Sequence, residues 1–171
     1  MSSSARPLVV GVADLLRSPG SHRDLEVEAP LEGLAVLGSS VPDGAAVVID
    51  VRLEAVNEGI VVKGEVRAPW QGECRRCLRT VEGTAAASVL EVFEEEPVEG
   101  ETSKLDGDRI DLEPLARETV LLELPLAPLC QDDCAGLCPE CGADRNAGDC
   151  GHALEAVDER WAALSELKFE D

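Results

Sequence analysis

Seven cysteines and a histidine recur in close pairs along the chain: Cys74 and Cys77 in CRRC, Cys130 and Cys134 in CQDDC, Cys138 and Cys141 in CPEC, and Cys150 with His152 in CGH. A two-residue gap lets both sulfurs of a knuckle reach one tetrahedral ion at about 2.3 Å, while the intervening backbone amides bond the thiolates. Gly142, directly after the third pair, suits the positive φ that ends such a turn. The donors suffice for two tetrahedral sets. The simplest partition assigns Cys138, Cys141, Cys150 and His152 to a compact C-terminal site, and Cys74, Cys77, Cys130 and Cys134 to a second. A competing partition gathers Cys134, Cys138, Cys141 and Cys150 around one ion and leaves the first pair and Cys130 free or loosely held. Zinc, as one or two ions, is the expected metal, because thiolates and an imidazole satisfy it without redox chemistry. With every coordination position filled by protein, no place remains for a reactive water, so the metal is expected to be structural.

The chemical alternatives are a thiol-redox centre and a zinc enzyme. Arg75 and Arg76 beside the first CxxC would lower thiol pKa values. A thioredoxin-like site, however, opens a helix after a strand in a βαβ unit, and QGECRRCLRT follows an antiparallel hairpin instead. The chain lacks GxGxxG, a Walker loop, HExxH and GxSxG. His22, isolated beside SPGS, reads as a polar loop residue. No catalytic residue is expected, and no small-molecule substrate.

The elements that must position these side chains follow from periodicity. VVIDVRLEAV alternates Ile49, Val51, Leu53 and Ala55 with Asp50, Arg52 and Glu54, and IVVKGEVRA sets Ile60, Val62, Val66 and Ala68 opposite Lys63, Glu65 and Arg67. The intervening NEG, with Gly59, makes a three-residue hairpin loop. RDLEVEA reads as a short strand, and AASVLEVFEE as a third strand beside the hairpin. VADLLRSPG gives a helical turn stopped by Pro19 and Gly20. DLEPLARETVLLELPLAP places Leu112, Leu115, Ala116, Thr119 and Val120 on one helical face, with Asp111 as N-cap and Pro125 as terminator. VDERWAALSELK repeats the helical pattern with Asp158 as N-cap and Val157, Trp161, Leu164 and Leu167 on the apolar side. The fold class expected is α+β: an antiparallel β-sheet with short covering helices and a Cys-rich zinc-binding module. The expected organisation is a disordered N-terminus (1–7), an α+β domain (8–129) carrying the knuckle at 74–77 and an acidic mobile loop at 94–108, the Cys-rich module (130–152) and a C-terminal helix (153–171).

Composition narrows the function classes. The chain has 171 residues, enough for a real core, but only two Phe, two Trp and no Tyr, so that core must be aliphatic. No stretch approaches the roughly 20 apolar residues that span a bilayer, and Asp14 interrupts the short apolar run at the start. A cytoplasmic protein without a membrane partner is the expectation. Reducing conditions and an odd number of cysteines argue against a disulfide framework. The net charge of −20 disfavours unassisted nucleic-acid binding and favours basic partners. That charge is uneven: Lys63–Arg79 holds five basic residues against Glu65 and Glu73, whereas Glu91–Glu113 holds ten acids against Lys104 and Arg109.

VADLLRSPG, GECRRCL, IDLEPLARETVLLELPLAPLC and DDCAGLCPECG together resemble the YceD family of bacterial and plastid proteins, and the likeness extends over roughly residues 8 to 168. It implies a non-enzymatic ribosome biogenesis factor that supports large-subunit ribosomal RNA accumulation and assembly. The resemblance carries onto Cys74, Cys77, Cys130, Cys134, Cys138 and Cys141. Some members lack the C-terminal cluster. The partner implied is a precursor of the large ribosomal subunit, through its RNA, a basic ribosomal protein or both. If RNA is touched, Arg67, Arg75, Arg76 and Arg79 are the candidate phosphate contacts, with marked salt dependence and little base stacking. In the rival reading the protein is a pure protein–protein adaptor and the arginines only neutralise nearby thiolates.

Overall fold

The computed structural model of the protein describes residues 8–57 and 59–152. The expected N-terminal tail and the C-terminal helix bearing Trp161 lie outside the described residues. In chain order the elements are β1 (Val9–Gly11), α1 (Ala13–Leu16), β2 (His22–Pro30), β3 (Ser39–Ser40), β4 (Ala46–Val56), β5 (Gly59–Glu73), β6 (Thr80–Glu94), β7 (Ser103–Lys104), β8 (Arg109–Asp111) and α2 (Glu113–Glu123). Strands dominate, and the class is α+β.

β2, β4, β5 and β6 are antiparallel neighbours in that order, and β7 adds a short parallel edge beside the end of β6. β3 pairs with Gln71 and Gly72 of β5, continuing along the edge of β5 where the pairing with β4 has stopped at Arg67. A separate two-stranded ribbon joins β1 to β8. The β5–β6 hairpin has 15 paired positions, from Gly59↔Glu94 to Glu73↔Thr80. At ~3.3 Å per residue it is about 50 Å long. Its lower half builds the core, and its far end carries the first CxxC as the turn itself.

Strict alternation explains the core. Ile49, Val51, Leu53 and Ala55 of β4, Ile60, Val62, Val66 and Ala68 of β5, and Ala85, Val89 and Phe93 of β6 are all buried. Successive strand residues point to opposite faces, so each apolar set turns inward as one row. α2 closes this face against β5 and β6, with Ala116 and Val120 buried and Leu112, the residue just before it, buried as well, and α1 covers β4 and β5. Each fully buried Val, Leu or Ile stabilises the fold by roughly 1.5–3 kcal/mol. The outer face is wet, with cross-strand pairs such as Arg52–Asp24 (2.7 Å). The Arg52 guanidinium, by direct hydrogen bonding, holds the Asp24 carboxyl below its ordinary value.

Five local expectations are corrected. The turn after β4 is shorter than the three-residue NEG loop, because Gly59 already pairs with Val56 as the first residue of β5. The strands of the central hairpin run well past the alternating segments, because the poorly patterned APWQGE is hydrogen-bonded to β6 throughout and to β3 at its end. His22 is not a loop residue: it opens β2 opposite Glu54. α2 begins after Leu112 rather than after Asp111, which still accepts the Glu113 amide at 3.0 Å through Oδ1 from its place at the end of β8. The acidic 94–108 stretch is not free chain. Leu105 is buried, its amide bonds the Glu94 carbonyl at 2.8 Å, and Thr102 donates to the Glu94 carboxylate at 2.6 Å. One apolar residue and one parallel bridge therefore tie down a segment whose composition alone reads as solvated. Among the described residues no helix is long and apolar enough to cross a membrane.

Candidate metal centres

The two CxxC knuckles share one hydrogen-bond pattern. In the first, the Cys74 amide donates to the Arg79 carbonyl (2.8 Å) and the Leu78 amide to the Cys74 carbonyl (2.9 Å). In the second, the Cys138 amide donates to Ala143 (2.8 Å) and the Gly142 amide to Cys138 (2.8 Å). Both turns need a left-handed residue right after the second cysteine, and φ is 60° at Leu78 and 73° at Gly142. Only glycine accepts that conformation without strain.

The fold then brings remote cysteines to the first knuckle. The chain after α2 crosses the end of the hairpin, where the Arg75 amide donates to the Pro128 carbonyl at 3.0 Å. Two glycines permit the crossing. A Cβ on Gly72 would collide with the Gly38 carbonyl oxygen, and one on Gly38 with the backbone of Leu126. Cys130 and Cys134 are thereby delivered to Cys74 and Cys77, with sulfurs 3.8 Å apart for Cys74–Cys134 and 3.6 Å for Cys77–Cys130. The edge of a tetrahedron with ~2.3 Å metal–sulfur bonds is about 3.8 Å, and a disulfide would need ~2.05 Å. All donor atoms of this set lie within 4.8 Å of one another, and three of the four residues are buried.

The electrostatics of the set fit a cation. Burial opposes ionisation of Cys74, yet the amides of Cys77, Arg76 and Cys130 outweigh it and bring the thiol down to about 6. Cys134 is likewise lowered despite burial, by the Gly136 amide and the Asn146 side chain. Burial and the three neighbouring thiols push Cys130 up to about 12. Four thiolates cannot share this volume unaided, whereas a divalent ion neutralises the charge they develop.

Cys138, Cys141, Cys150 and His152 form the second set, with donor atoms again within 4.8 Å. Cys138 is buried, and its thiol is brought down to about 7 by the Cys141 amide, against burial, with help from the Glu140 amide. Cys141 and His152 are exposed, so this set sits at the surface and spans only its own loop. The described geometry thus contains two clusters able to hold metal ions, one straddling the sheet and the Cys-rich segment, the other local.

Arginines and an asparagine lash the clusters together. The Arg76 guanidinium donates to the carbonyls of Asp132 (3.1 Å) and Cys134 (3.0 Å), and Arg79 pairs with Asp144 at 3.1 Å. Asn146 donates to the Cys134 sulfur at 3.4 Å and to Asp144 at 2.7 Å, while its carbonyl accepts the Ala135 amide at 2.8 Å. Arg67 pairs with Glu65 at 3.2 Å on the wet face of β5. Of the four candidate RNA contacts, only the Arg75 guanidinium has no partner among the described residues. Periodicity cannot reveal Asn146, Asp144 or Leu78. For Leu78 a signal existed, since aligning CRRCLR with CPECGA sets Leu78 where Gly142 stands.

The family model described as large ribosomal RNA subunit accumulation protein YceD matches residues 62–168, a span that contains every member of both clusters. The chain belongs to the YceD family. An uncharacterized protein of Mycobacterium tuberculosis is 39% identical over 173 residues, covering 95% of this chain and 82% of the relative. A Mycobacterium leprae protein is 35% identical over 178 residues, covering 96% and 79%. More distantly, the Arabidopsis thaliana protein named large ribosomal RNA subunit accumulation protein YCED homolog 1, chloroplastic, is 24% identical over 160 residues, covering 74% of this chain and 50% of the relative. No solved structure matches the chain. Within this YceD chain, the expected strain at Leu78 is testable. A left-handed non-glycine residue costs ~1–2 kcal/mol, partly offset by the greater chain entropy of glycine, so Leu78→Gly is expected to stabilise the protein by roughly 0.5–1 kcal/mol. A urea midpoint below that of the native chain would refute the strained conformation.

Proposed function

We propose that the protein is a non-enzymatic, cytoplasmic accessory factor that supports accumulation of large-subunit ribosomal RNA by engaging precursors of the large subunit. The observation that carries this reading is the family match, which spans both cysteine clusters and most of the central hairpin. We propose zinc as the metal of both, held by Cys74, Cys77, Cys130 and Cys134 in one set and by Cys138, Cys141, Cys150 and His152 in the other. Thiolate and imidazole donors suit zinc, and four protein donors per ion leave no position for a reactive water. Bound there, zinc would supply cross-linking and charge neutralisation. The protein's own residues do the rest: Arg76 and Asn146 fix the loops around the sulfurs, and the hairpin presents the assembled tip to its partner.

A contact made through protein, in the manner of an adaptor, is favoured over direct RNA binding by the internal pairing of Arg67, Arg76 and Arg79. Those guanidiniums would have to abandon close partners before touching phosphate, and a field from −20 net charge opposes that approach. Depletion of the protein is expected to lower large-subunit ribosomal RNA relative to small-subunit RNA and to shrink the large-subunit peak in a sedimentation profile. An unchanged ratio and profile would remove the ribosomal role and leave the structural proposals standing.

A further inference from the structure

Three large apolar side chains that the fold leaves in solvent meet in one place. Leu37, 96% exposed at the tip of the turn before β3, Leu78, 59% exposed on the first knuckle, and Leu126, 68% exposed after α2, line an open groove of about 870 Å³. Its floor is formed by Gly38, Gly72 and Pro128, where two backbones lie in contact. None of the three leucines serves the core.

Leu78 makes the groove more than a chance patch. The second knuckle solves the same turn with Gly142, so the first could have done so without strain. It instead holds a leucine at φ 60° whose side chain is mostly exposed and belongs to neither buried cluster. Backbone strain retained for an exposed apolar side chain points to a contact made outside the molecule.

We infer that this groove is a docking site for a polypeptide segment carrying apolar side chains flanked by lysine or arginine. Charge selects the partner. The groove contributes only one acid and one base, Glu73 and Arg75, but the wall bearing Leu126 follows the carbonyl end of α2, which has no basic residue in its last turn and carries Glu123 there. That helix end is negative and uncompensated, and the whole chain is at −20. The same field repels a second copy and nucleic acid, whereas it attracts a basic chain whose apolar residues then cover the leucines. The docking surface depends on geometry and charge alone, so it stands apart from the ribosomal role.

The test is fluorescence anisotropy with the full, zinc-loaded chain and four labelled synthetic probes: an amphipathic Leu/Lys peptide, its Leu/Glu counterpart, oligolysine and a single-stranded RNA oligonucleotide. Leu78→Gly is the key variant because it relieves strain, and its thermal midpoint, at or above that of the native protein, separates lost docking from lost folding. Leu37→Ser is the second variant. Removing one buried leucine contact is expected to weaken the Leu/Lys peptide about tenfold or more in either variant, with oligolysine binding unchanged and the Leu/Glu peptide bound poorly throughout. Equal affinity of native and variant chains for the Leu/Lys peptide would overturn the proposal. So would tight binding of the Leu/Glu peptide, a single-stranded RNA oligonucleotide whose binding Leu78→Gly abolishes, or a concentration-dependent dimer that the same substitution dissolves.

Discussion

With zinc in both clusters as proposed, Cys74→Ser is expected to release one of the two ions and to unfasten the end of the central hairpin from the 130–134 segment. Cys74 is fully buried, and its sulfur lies 3.8 Å from that of Cys134, sixty residues away. A serine oxygen is a poor zinc donor in place of a thiolate, and the three sulfurs left behind cannot all ionise within one small volume. Structural zinc sites supply ~10–16 kcal/mol in small domains, against ~5–15 kcal/mol for the whole stability of an ordinary fold. The loss should therefore be a large part of the total, with the thermal midpoint falling sharply and becoming insensitive to added chelator at the first site. Cys141→Ser serves as the contrast. It should also remove one ion, but its cluster closes only the loop from Cys138 to His152, so the sheet should melt nearly as before. Metal analysis per chain and calorimetry read both effects. Unaltered zinc content and midpoint in Cys74→Ser would dismiss the cross-linking role of the first cluster.

The second large effect belongs to the core. Phe93 is 2% exposed and lies opposite Ile60 of β5 and beside Ser103 of β7. It is the one buried aromatic among the described residues, in a core otherwise made of Val, Leu, Ile and Ala. Truncation to alanine leaves a cavity that β-branched neighbours, stiff at χ1 and fixed on strands, fill badly. Phe93→Ala is expected to cost about 3–5 kcal/mol in a urea titration. Leu90→Ala, three residues earlier on the same strand, removes a side chain that is 72% exposed and should change stability by no more than ~0.5 kcal/mol. Comparable losses at the two positions would mean that the inner face of β6 has been misassigned.

These two predictions connect at the hairpin. Its lower half is held by apolar burial and its tip by the packing of the four-cysteine cluster, so the strands between must transmit position from one to the other. Trp70, lying over Gly83 on the partner strand, supports this intermediate stretch, since a Cβ at Gly83 would come within 2.8 Å of the indole. A rigid tip matters for docking because Leu78 must stay beside Leu37 and Leu126, which arrive on separate segments of chain. Loss of the first cluster is therefore expected to weaken groove binding as well as the fold.

Much was legible without tertiary structure because it is local. Backbone stereochemistry alternates side chains along a strand, so Ile49 to Ala55 and Ile60 to Ala68 declared their inner faces, and the 3.6-residue period did the same for Leu112, Ala116 and Val120. The CxxC spacing announced knuckles, and the family motifs announced kinship. The full reach of β5 and β6 was hidden, because APWQGE is held by partners on both edges rather than by its own pattern. The acidic 94–108 segment read as free chain because the burial of one leucine and a two-residue parallel bridge carry no composition signal. The employment of Arg76, Arg79 and Asn146 on carbonyls, a carboxylate and a sulfur was equally invisible, since each partner lies on a remote loop.

Residue types and short spacings on their own determined the chemistry on offer: thiols in pairs, an aliphatic core and a strongly acidic surface. Only the folded chain decided which four sulfurs meet, which arginines stay available and where exposed leucines gather. Convergence across sixty residues depends on strand register and on the close crossing at Gly38, Gly72 and Pro128, and those long-range distances are set by packing rather than by any local period.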